Sequence, residues 1–338
     1  MKSKDSQVGN TMLKSILPTY TPKELCIKLG SKKWIMGYNR IFAIVDPTSQ
    51  KVMYIEDYGP QNGFFIEGWR ALHFLSTSSI VEKSYREGSI TICIIKQGKA
   101  KLNLLPSFAP IGIEECKVIN NKVMITFAGF GGGGVSASFS RGMAEGVEKV
   151  QVIQQGGGNK LGIGKIVLPA KKIILIGVDD TDNDNEGATY ALVHNISVDI
   201  AGKLGVFYAT HNNIQLFPYN PYKTKNCMAT VVSFIYDKDS QGEEIVKEFT
   251  RLLKKHTVSD QTGIAVFEGF SLPRRLVDFS TSLKFHMLND MSELKRICAE
   301  TRVRLYPITG EKGLIGATAA LGFFDKPDFG AKLPNQCC

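Results

Sequence analysis

The carboxyl half of the chain alternates short apolar runs with segments whose apolar residues recur at helical spacing. The run Ile173 to Val178 is too short to span a membrane and is rich in β-branched residues, so it predicts a buried strand of a parallel sheet. A helix ending at Gly205 is predicted by apolar residues four positions apart, namely Leu192, Ile196, Ile200 and Leu204. Further strands are expected at 206–209, 228–236, 263–267 and 303–307, and helices at about 242–256 and 291–302. We interpret these later helices and strands as a ferredoxin-like βαββαβ arrangement.

The first third of the chain predicts an α+β unit that follows a polar lead-in over residues 1 to about 33. An amphipathic helix is expected from apolar residues at helical spacing, namely Phe65, Ile66, Trp69, Leu72 and Leu75. Hairpins are expected where alternating apolar runs flank turn-forming residues, at 40–45 with 51–56, 89–96 with 101–105, and 116–119 with 122–127.

Glycine is dense between Ala128 and Pro169, and two interpretations of this segment stay open. The run from Gly131 to Gly134 precedes a predicted helix through Met143, Val147 and Val150, so its backbone N–H groups would cradle an anion at a helix start. The alternative is a flexible linker or a tight packing turn, since no Gly-Lys-Ser/Thr of the Walker type is present.

Composition excludes several classes of protein. The 338 residues are 43% hydrophobic and 22% charged, which is ordinary for globular domains. No stretch approaches the roughly 18 to 20 apolar residues that span a bilayer, and Met1 to Asn10 lack a signal-peptide core, so we expect a cytoplasmic protein without a membrane segment. Seven cysteines without a C-x-x-C pair argue against a disulfide framework or a zinc ribbon. The net charge of +9 favours a polyanionic partner such as a nucleotide, RNA or an acidic protein, although it also describes an ordinary solvated surface.

An acidic loop follows the strand at Ile173 to Val178. It holds five acids within eight positions, namely Asp179, Asp180, Asp182, Asp184 and Glu186. Carboxylates packed this densely repel one another unless a cation is bound, and hard oxygen donors suit magnesium. An extended backbone would send Asp180 and Asp182 to one side and Asp179 with Thr181 to the other. The alternative is that Asp182 or Asp184 caps the following helix, which accounts for one carboxylate and not for five.

Two further segments supply groups that an ATP site needs. Cations and neutral donors occur in the loop 217–226 as Asn220, Lys223, Lys225 and Asn226, although such a segment is also typical of an exposed turn. Near the end, Lys312, Gly313 and Gly316 open a small-residue segment through Gly322 whose helix start would accept an anion. A small-residue helix packed on a sheet is the alternative.

These segments resemble archaeal tRNA-isoleucine agmatinylcytidine synthetase over about 170 to 325. The matching motifs are Gly177-Val-Asp-Asp-Thr-Asp182, Asn220-Pro-Tyr-Lys-Thr-Lys-Asn226 and Gly313-Leu-Ile-Gly-Ala-Thr-Ala-Ala-Leu-Gly322, in the same order. That family uses ATP and magnesium to phosphorylate a cytosine carbonyl oxygen, after which the amine agmatine displaces phosphate. Two features depart from it: the consecutive threonines are reduced to Thr189 behind Ala188, and nothing after 325 would form its OB and zinc-ribbon regions that grip tRNA.

The chemistry of these segments and the resemblance together imply a set of site residues. Metal would be bound by Asp179, Asp180 and Asp182, and the catalytic residues would be Asp180, Lys223 and Thr189. Cofactor contacts would come from Lys225, Asn220, Asn226, Lys312, Gly313 and Gly316. ATP and Mg²⁺ are the implied cofactors.

Over its entire length the chain resembles methanogenesis marker protein 11, which also carries a free-standing Asp-Asp-Thr-Asp motif behind an amino-terminal extension. That resemblance implies an archaeal methanogen and a role near methyl-coenzyme M reductase or its cofactors. We therefore expect five segments: an α+β domain at 1–127, a Gly-rich connection and helix at 128–169, a strand-led α/β ATP/Mg²⁺-binding domain at 170–240, a ferredoxin-like region at 241–325, and a tail at 326–338.

Three functional hypotheses follow. The first is a Mg²⁺- and ATP-dependent enzyme that phosphorylates or otherwise activates a carbonyl or amide oxygen for nucleophilic substitution. The second is a non-catalytic nucleotide-binding assembly or maturation factor for methyl-coenzyme M reductase. The third is an RNA-modifying enzyme, which the basic charge permits and the missing RNA-gripping regions disfavour.

Overall fold

The structure is a computed structural model that describes residues 17–59, 69–108, 110–288 and 290–336. The described residues form two compact units. The first unit is drawn from 1–41, 56–91 and 98–168, and the second from 42–55, 92–97 and 169–338. Phe65 and Ile66 of the predicted amphipathic helix lie outside the described residues.

The strands are β1 Thr19–Tyr20, β2 Arg40–Val45, β3 Val52–Asp57, β4 Val81–Glu87, β5 Ile90–Ile95, β6 Gly98–Lys99, β7 Ile111–Ile119, β8 Lys122–Gly129, β9 Lys149–Gln154, β10 Gly162–Asp179, β11 Phe207–Gln215, β12 Met228–Tyr236, β13 Gly263–Glu268 and β14 Arg304–Pro307. The α-helices are α1 Pro22–Leu29, α2 Trp69–Thr77, α3 Gly131–Ser138, α4 Thr189–Leu204, α5 Asp239–His256, α6 Arg274–Ser282, α7 Met291–Thr301, α8 Gly313–Leu321 and α9 Pro327–Ala331. Short 3₁₀ helices occur at Ser140–Met143 and Pro334–Gln336. The chain is therefore mixed α and β throughout, as predicted.

The first unit contains the predicted hairpin of β7 and β8. The two strands pair antiparallel from Ile111 with Gly129 to Ile119 with Lys122. Asn120 and Asn121 connect them with φ values of 50° and 59°, the left-handed pair that a tight two-residue turn requires. This prediction is confirmed.

Two expectations for the first unit are wrong. Residues 101–105 form no extended strand, and β5 instead follows β4 across a short turn at Gly88. The glycine run does not precede a helix but forms α3 itself, which ends at Ser138, and Val150 lies in β9.

Close backbone packing explains part of this glycine run. A Cβ on Gly134 would lie 2.6 Å from the Gly129 carbonyl oxygen, and a Cβ on Gly129 would lie 2.6 Å from that of Pro110. The tight-packing alternative therefore accounts for these two positions, because no larger residue fits there.

A buried ion pair lies in the core of the first unit. The side chains of Arg141 and Glu56 are both fully buried, and Arg141 Nε donates to Glu56 Oε1 at 2.6 Å. Arg141 also donates to Ser136 Oγ at 2.8 Å, and its guanidinium carbon lies 4.3 Å from the ring centroid of Phe127. Charges of opposite sign thus neutralise each other inside this unit.

The second unit is built on a ferredoxin-like βαββαβ arrangement made by β10, α4, β11, β12, α5 and β13. Its sheet has the order β11–β12–β10–β13, with β14 added beyond β13, and all of these neighbours pair antiparallel. The arrangement was predicted, but it starts at β10 rather than with the later helices and strands. The reason is that β10 occupies the centre, where it pairs with both β12 and β13.

The expectation of a parallel sheet around Ile173 to Val178 is wrong. The only parallel pairing described for β10 joins Ala170 and Lys171 to Ala43 and Ile44. The continuous apolar run reflects burial on both faces of the sheet instead. Ile174 and Ile176 pack in a cluster with residues of α4 and α5, whereas Ile173 and Leu175 pack with residues of α6, α7 and α8.

Other elements of the second unit agree with the sequence. The helix predicted before Gly205 is α4, and Gly205 ends it in the left-handed conformation with φ 63° and ψ 36°. Residues 228–236 form β12 with the predicted bounds. The predicted hairpin at 40–45 and 51–56 is present as the neighbouring strands β2 and β3, of which residues 42–45 and 52–55 belong to this unit. The strand expected at 206–209 extends much further, because β11 pairs with β12 as far as Gln215.

Candidate functional site

Asp179 is the last residue of β10 and lies beside the start of α8. A Cβ on Gly316 would overlap the Asp179 carboxylate, and a Cβ on Gly177 would overlap the carbonyl oxygen of Ala317. The glycines of the two sequence motifs therefore allow α8 to lie directly against β10. Placing a carboxylate at a helix start is electrostatically favourable, because the amino end of a helix carries partial positive charge.

Asp180 changes the direction of the chain. Its φ of 55° is left-handed, a conformation that Asp tolerates better than most residues. Its carbonyl oxygen accepts a 2.6 Å hydrogen bond from Thr262 Oγ1. The extended alternation expected for this loop is consequently wrong, and Asp179, Asp180 and Asp182 all line one cavity.

Asp182 is held by two threonine hydroxyls. Thr189 Oγ1 donates to Asp182 Oδ1 at 3.0 Å, and Thr224 Oγ1 donates to Asp182 Oδ2 at 3.2 Å. Thr181 Oγ1 donates in turn to Thr189 Oγ1 at 2.9 Å. This chain of hydrogen bonds joins the acidic loop to the start of α4 and to the 217–226 loop.

The capping alternative for the acidic loop is wrong. The residue before α4 is Ala188, and no side chain caps this helix. Asp184 and Glu186 are exposed and do not line the cavity. The five acids thus divide into three that share the cavity and two that face solvent.

Two lysines line the same cavity. Lys223 Nζ donates to the Pro218 carbonyl oxygen at 2.6 Å, and Lys312 Nζ lies 5.2 Å from the ring centroid of Tyr222. Asn220 and Asn226 add amide groups. Both signs of charge are therefore available within one cavity of about 380 Å³.

Crowding perturbs the carboxylates. Burial raises the pKa of Asp179 well above its ordinary value, and the charges of Asp180 and Asp182 add to this. Burial also raises the pKa of Asp180 to about 6; Asp182 adds to that shift and Lys312 opposes it. Shifts of this kind identify groups whose negative charge lacks enough positive charge nearby.

The carboxylates suit a cation that also takes ligands from a substrate. Among the described residues, no three His, Cys, Asp or Glu side chains converge closely enough to hold a metal by themselves. Mg²⁺ typically takes one or two carboxylates and completes its shell with water and phosphate oxygens. Two of the three aspartates are sufficient for that role, and the three-aspartate set stays a prediction.

The structure brings together most of the predicted site residues but not all of them. The cavity is lined by Asp179, Asp180, Asp182, Asn220, Lys223, Asn226, Lys312 and Gly316. Lys225 and Thr189 do not line it, and Thr189 acts on Asp182 through its hydroxyl. Gly313 lies beneath the site, where a Cβ would come within 2.8 Å of the Asp179 carbonyl oxygen.

Sequence reasoning missed the apolar side of this cavity. It is formed by Leu216, Phe217, Leu283, Met287, Leu288 and Met291. These residues lie around two connecting segments, where no periodic pattern marks a buried side chain. Thr224 was also missed, although it lies between the two predicted lysines.

The comparisons with known proteins give one full-length relative. The chain is 35% identical over 298 residues to "Uncharacterized protein MJ0921" of Methanocaldococcus jannaschii, covering 88% of the chain and 97% of that protein. The chain belongs to the family of MJ0921. No protein-family model matches it. The name of MJ0921 assigns no activity, so the resemblance to methanogenesis marker protein 11 stays a prediction.

Solved structures align with part of this MJ0921 family member. A complex of TiaS with its tRNA and ATP aligns with 45% of the chain at 25% identity and a TM-score of 0.37. A tRNA fluorescent labeling enzyme aligns with 44% of the chain at 23% identity and a TM-score of 0.39. Each alignment covers 36% of the other chain, so the match spans about a third of those proteins.

Within the described part of the chain, no helix combines the length and apolar character needed to cross a bilayer.

Proposed function

We propose that this protein is a Mg²⁺- and ATP-dependent enzyme that phosphorylates or otherwise activates a carbonyl or amide oxygen for nucleophilic substitution. The observation that carries the proposal is the convergence of Asp179, Asp180 and Asp182 with Lys223 and Lys312 on one cavity. Phosphoryl transfer is catalysed mainly by positioning and charge stabilisation, and this cavity supplies groups for both. The three motifs shared with agmatinylcytidine synthetases support the same activity.

The acidic, basic and hydroxyl side chains of the cavity have different roles in this proposal. Asp180 and Asp182 would hold Mg²⁺, which when bound neutralises charge on the phosphates. Lys223 and Lys312 offset the negative charge of the transferring group. Thr189 and Thr224 orient the Asp182 carboxylate, and Gly316 leaves room for that of Asp179.

Binding and hydrolysis of ATP test the proposal. Calorimetric titration with ATP in the presence of Mg²⁺ should show binding that disappears in Asp180→Ala and Asp182→Ala, while the exposed Asp184→Ala variant binds as the wild type does. A wild-type protein that neither binds nor hydrolyses ATP with Mg²⁺ would contradict the proposal, and so would unchanged binding in both cavity variants.

The setting of the reaction extends the proposal. Resemblance to methanogenesis marker protein 11 supports a role in maturation of methyl-coenzyme M reductase or its cofactors. A non-catalytic assembly factor would bind ATP without turnover and would co-purify stoichiometrically with a reductase subunit from a methanogen extract. Turnover without such a complex would favour the enzyme.

An RNA acceptor is the second candidate, and the loop 217–226, which contributes residues to the cavity, favours it. Tyr219 and Tyr222 expose 80% and 66% of their surfaces beside Lys223 and Lys225. Exposed rings among cations are typical of surfaces on which unpaired bases stack. RNA binding should then weaken with salt at a log–log slope that grows with the number of phosphates neutralised. Absence of binding at low salt would eliminate this candidate.

A further inference from the structure

We propose that the apolar wall of the carboxylate cavity binds the nucleobase of the nucleotide, an inference that rests on the function proposed above. The wall consists of Leu216, Phe217, Leu283, Met287, Leu288 and Met291. It belongs to the same cavity as Asp180 and Lys312. A ligand that fills this cavity therefore needs an anionic end and an apolar end in one molecule.

The chemistry of the wall suits a flat ring. A ligand that consists only of metal and phosphate makes no favourable contact with apolar side chains. Apolar side chains that stay in contact with water cost free energy in proportion to their exposed area. Leu216 and Leu283 are already buried, whereas Met287 keeps 38% of its surface exposed. Methionine side chains adapt to aromatic surfaces, and their sulfur atoms contact ring edges favourably. We therefore expect Met287 and Met291 to make the most favourable contacts with the ring of the nucleobase.

The wall is anchored on the side away from the cavity. The Phe217 N–H donates to the Leu283 carbonyl oxygen at 2.9 Å and ties the two connecting segments together. Lys284 is fully buried and donates to the carbonyl oxygens of Gln215 and Gly330, each at 2.8 Å. These bonds fix the backbone beside Leu283, so the apolar surface is formed before any ligand arrives and little ordering is needed on binding.

The size of the cavity favours the nucleotide's own base over an apolar acceptor. A volume of about 380 Å³ lies at the small end of ligand pockets, which range over about 300 to 1,000 Å³. Metal, triphosphate and base in one molecule occupy both halves of such a space. The acceptor then approaches beside Tyr222, which lines the cavity and keeps 66% of its surface exposed.

Methionine methyl NMR tests this subsite directly. Protein labelled with ¹³C at its methionine methyls is titrated with ATP or with inorganic tripolyphosphate, both with Mg²⁺, and Met287→Leu and Met291→Leu assign the signals. We expect ATP to shift the Met287 and Met291 methyls through the ring current of adenine and tripolyphosphate to leave them in place. The methyl of Met53, which is buried in the core, is the internal control.

Affinities supply a second measurement. The double variant Met287→Ala/Met291→Ala should bind ATP about tenfold more weakly, equivalent to about 1.4 kcal/mol, and bind tripolyphosphate within about twofold of the wild type. Val198→Ala, an exposed truncation on α4, is the matched control and should change neither affinity.

The outcomes separate the subsite from the proposed function. Equal affinity of the wild type for ATP and tripolyphosphate, without methyl shifts, overturns the subsite and leaves the function standing. Equal weakening of both ligands by the double variant shows a structural wall and also overturns the subsite. If the wild type binds neither ligand, the proposed function fails, and a titration with adenosine alone decides the subsite: shifts at Met287 and Met291 support it, and their absence overturns it.

Discussion

Two charge clusters, one in each unit, are buried in opposite ways. In the first unit, Arg141 and Glu56 form a fully buried pair of opposite sign, and Ser136 accepts a further hydrogen bond from the guanidinium. In the second unit, Asp179 and Asp180 are adjacent groups of like sign, and the pKa of each is raised by burial and by neighbouring carboxylates. The first cluster contains its own counter-charge, and the second calls for a cation from outside.

This difference separates structural from functional burial of charge. A buried ion pair is retained inside a fold because removing either partner leaves the charge of the other buried and uncompensated. Carboxylates that repel one another reduce stability, and proteins keep such groups where a ligand repays the cost. The Asp179–Asp180 pair is therefore expected to weaken the unliganded second unit, and the Arg141–Glu56 pair to be indispensable to the first.

The largest effect is expected from breaking the balanced pair. Glu56→Gln leaves the Arg141 guanidinium buried without its counter-charge, and such a change typically costs about 3 to 5 kcal/mol. Both tryptophans of the sequence, Trp34 and Trp69, belong to the first unit, so urea unfolding followed by tryptophan fluorescence reports on the unit that contains the pair.

A surface pair in the same unit is the control for that experiment. Lys122 and Glu148 form an ion pair with about 40% of each side chain exposed, and Glu148→Gln should cost less than about 1 kcal/mol. If Glu56→Gln were as mild as Glu148→Gln, the buried pair would not be a structural element of the first unit.

Local patterns in the sequence predicted individual elements well. The bounds of β12, the end of α4 at Gly205 and the Asn120-Asn121 turn follow from short-range preferences that the fold keeps. The prediction that the neighbours of β10 run parallel to it was wrong. A continuous apolar run indicates burial on both faces of a sheet, but it does not determine whether the strands are parallel or antiparallel.

The site was predictable where a motif carries its own chemistry. Asp179, Lys223 and Gly316 could be selected from the sequence, although they are brought together only by long-range packing. The geometry could not be predicted in the same way. The left-handed φ of Asp180 depends on tertiary contacts such as the hydrogen bond from Thr262, and the apolar wall is assembled from connecting segments far apart in sequence.

Relieving the unbalanced pair should stabilise the protein. Asp180→Asn removes a carboxylate whose pKa rises from 3.8 to about 6, a shift equivalent to about 3 kcal/mol at pH 7. We expect the unliganded variant to gain about 2 to 3 kcal/mol in the second unit and to lose Mg²⁺-dependent ATP binding. Hydrogen exchange of β12 amides measures the first effect and calorimetry the second.

Asp184→Asn separates the cavity from the loop as a whole. Asp184 belongs to the same acidic loop but is exposed and does not line the cavity, so its neutralisation should change stability by less than about 0.5 kcal/mol. Equal gains from Asp180→Asn and Asp184→Asn would mean that net charge, rather than burial at Asp180, sets the effect.

The pH dependence of stability should carry the same signature. The folded pKa of Asp180 lies above its unfolded value of 3.8, so between about pH 4 and 6 the folded state binds more protons than the unfolded state. The free energy of unfolding is therefore not reduced by Asp180 below about pH 4, where its carboxyl is protonated in both states. It falls as pH rises to about 6, by up to about 1.4 kcal/mol per pH unit.

Subtracting the stability of Asp180→Asn from that of the wild type at each pH gives the contribution of Asp180, including its repulsion of Asp179 and Asp182. The subtraction cancels groups such as His211, whose pKa burial and nearby His194 lower to about 4 and whose effect has the opposite sign. Parallel curves for the two proteins between pH 4 and 6 would contradict the raised pKa of Asp180.

The smallest effect is expected from changing how the Asp182 carboxylate is oriented. Thr224→Val removes the hydroxyl that donates to Asp182 Oδ2, while the hydrogen bond from Thr189 remains. Hydrogen bonds to charged groups contribute about 1.5 to 3 kcal/mol to folding, and solvent at this half-buried site reduces that figure, so Thr224→Val should lower the unfolding free energy by about 1 kcal/mol. The less well oriented Asp182 carboxylate should bind ATP with Mg²⁺ about fivefold more weakly. Thr224→Ser keeps the hydroxyl and should restore binding. If Thr224→Val and Thr224→Ser bind equally, the hydrogen bond from Thr189 and the backbone at Asp180 are sufficient to orient the carboxylates, and the Thr224 hydroxyl is not needed.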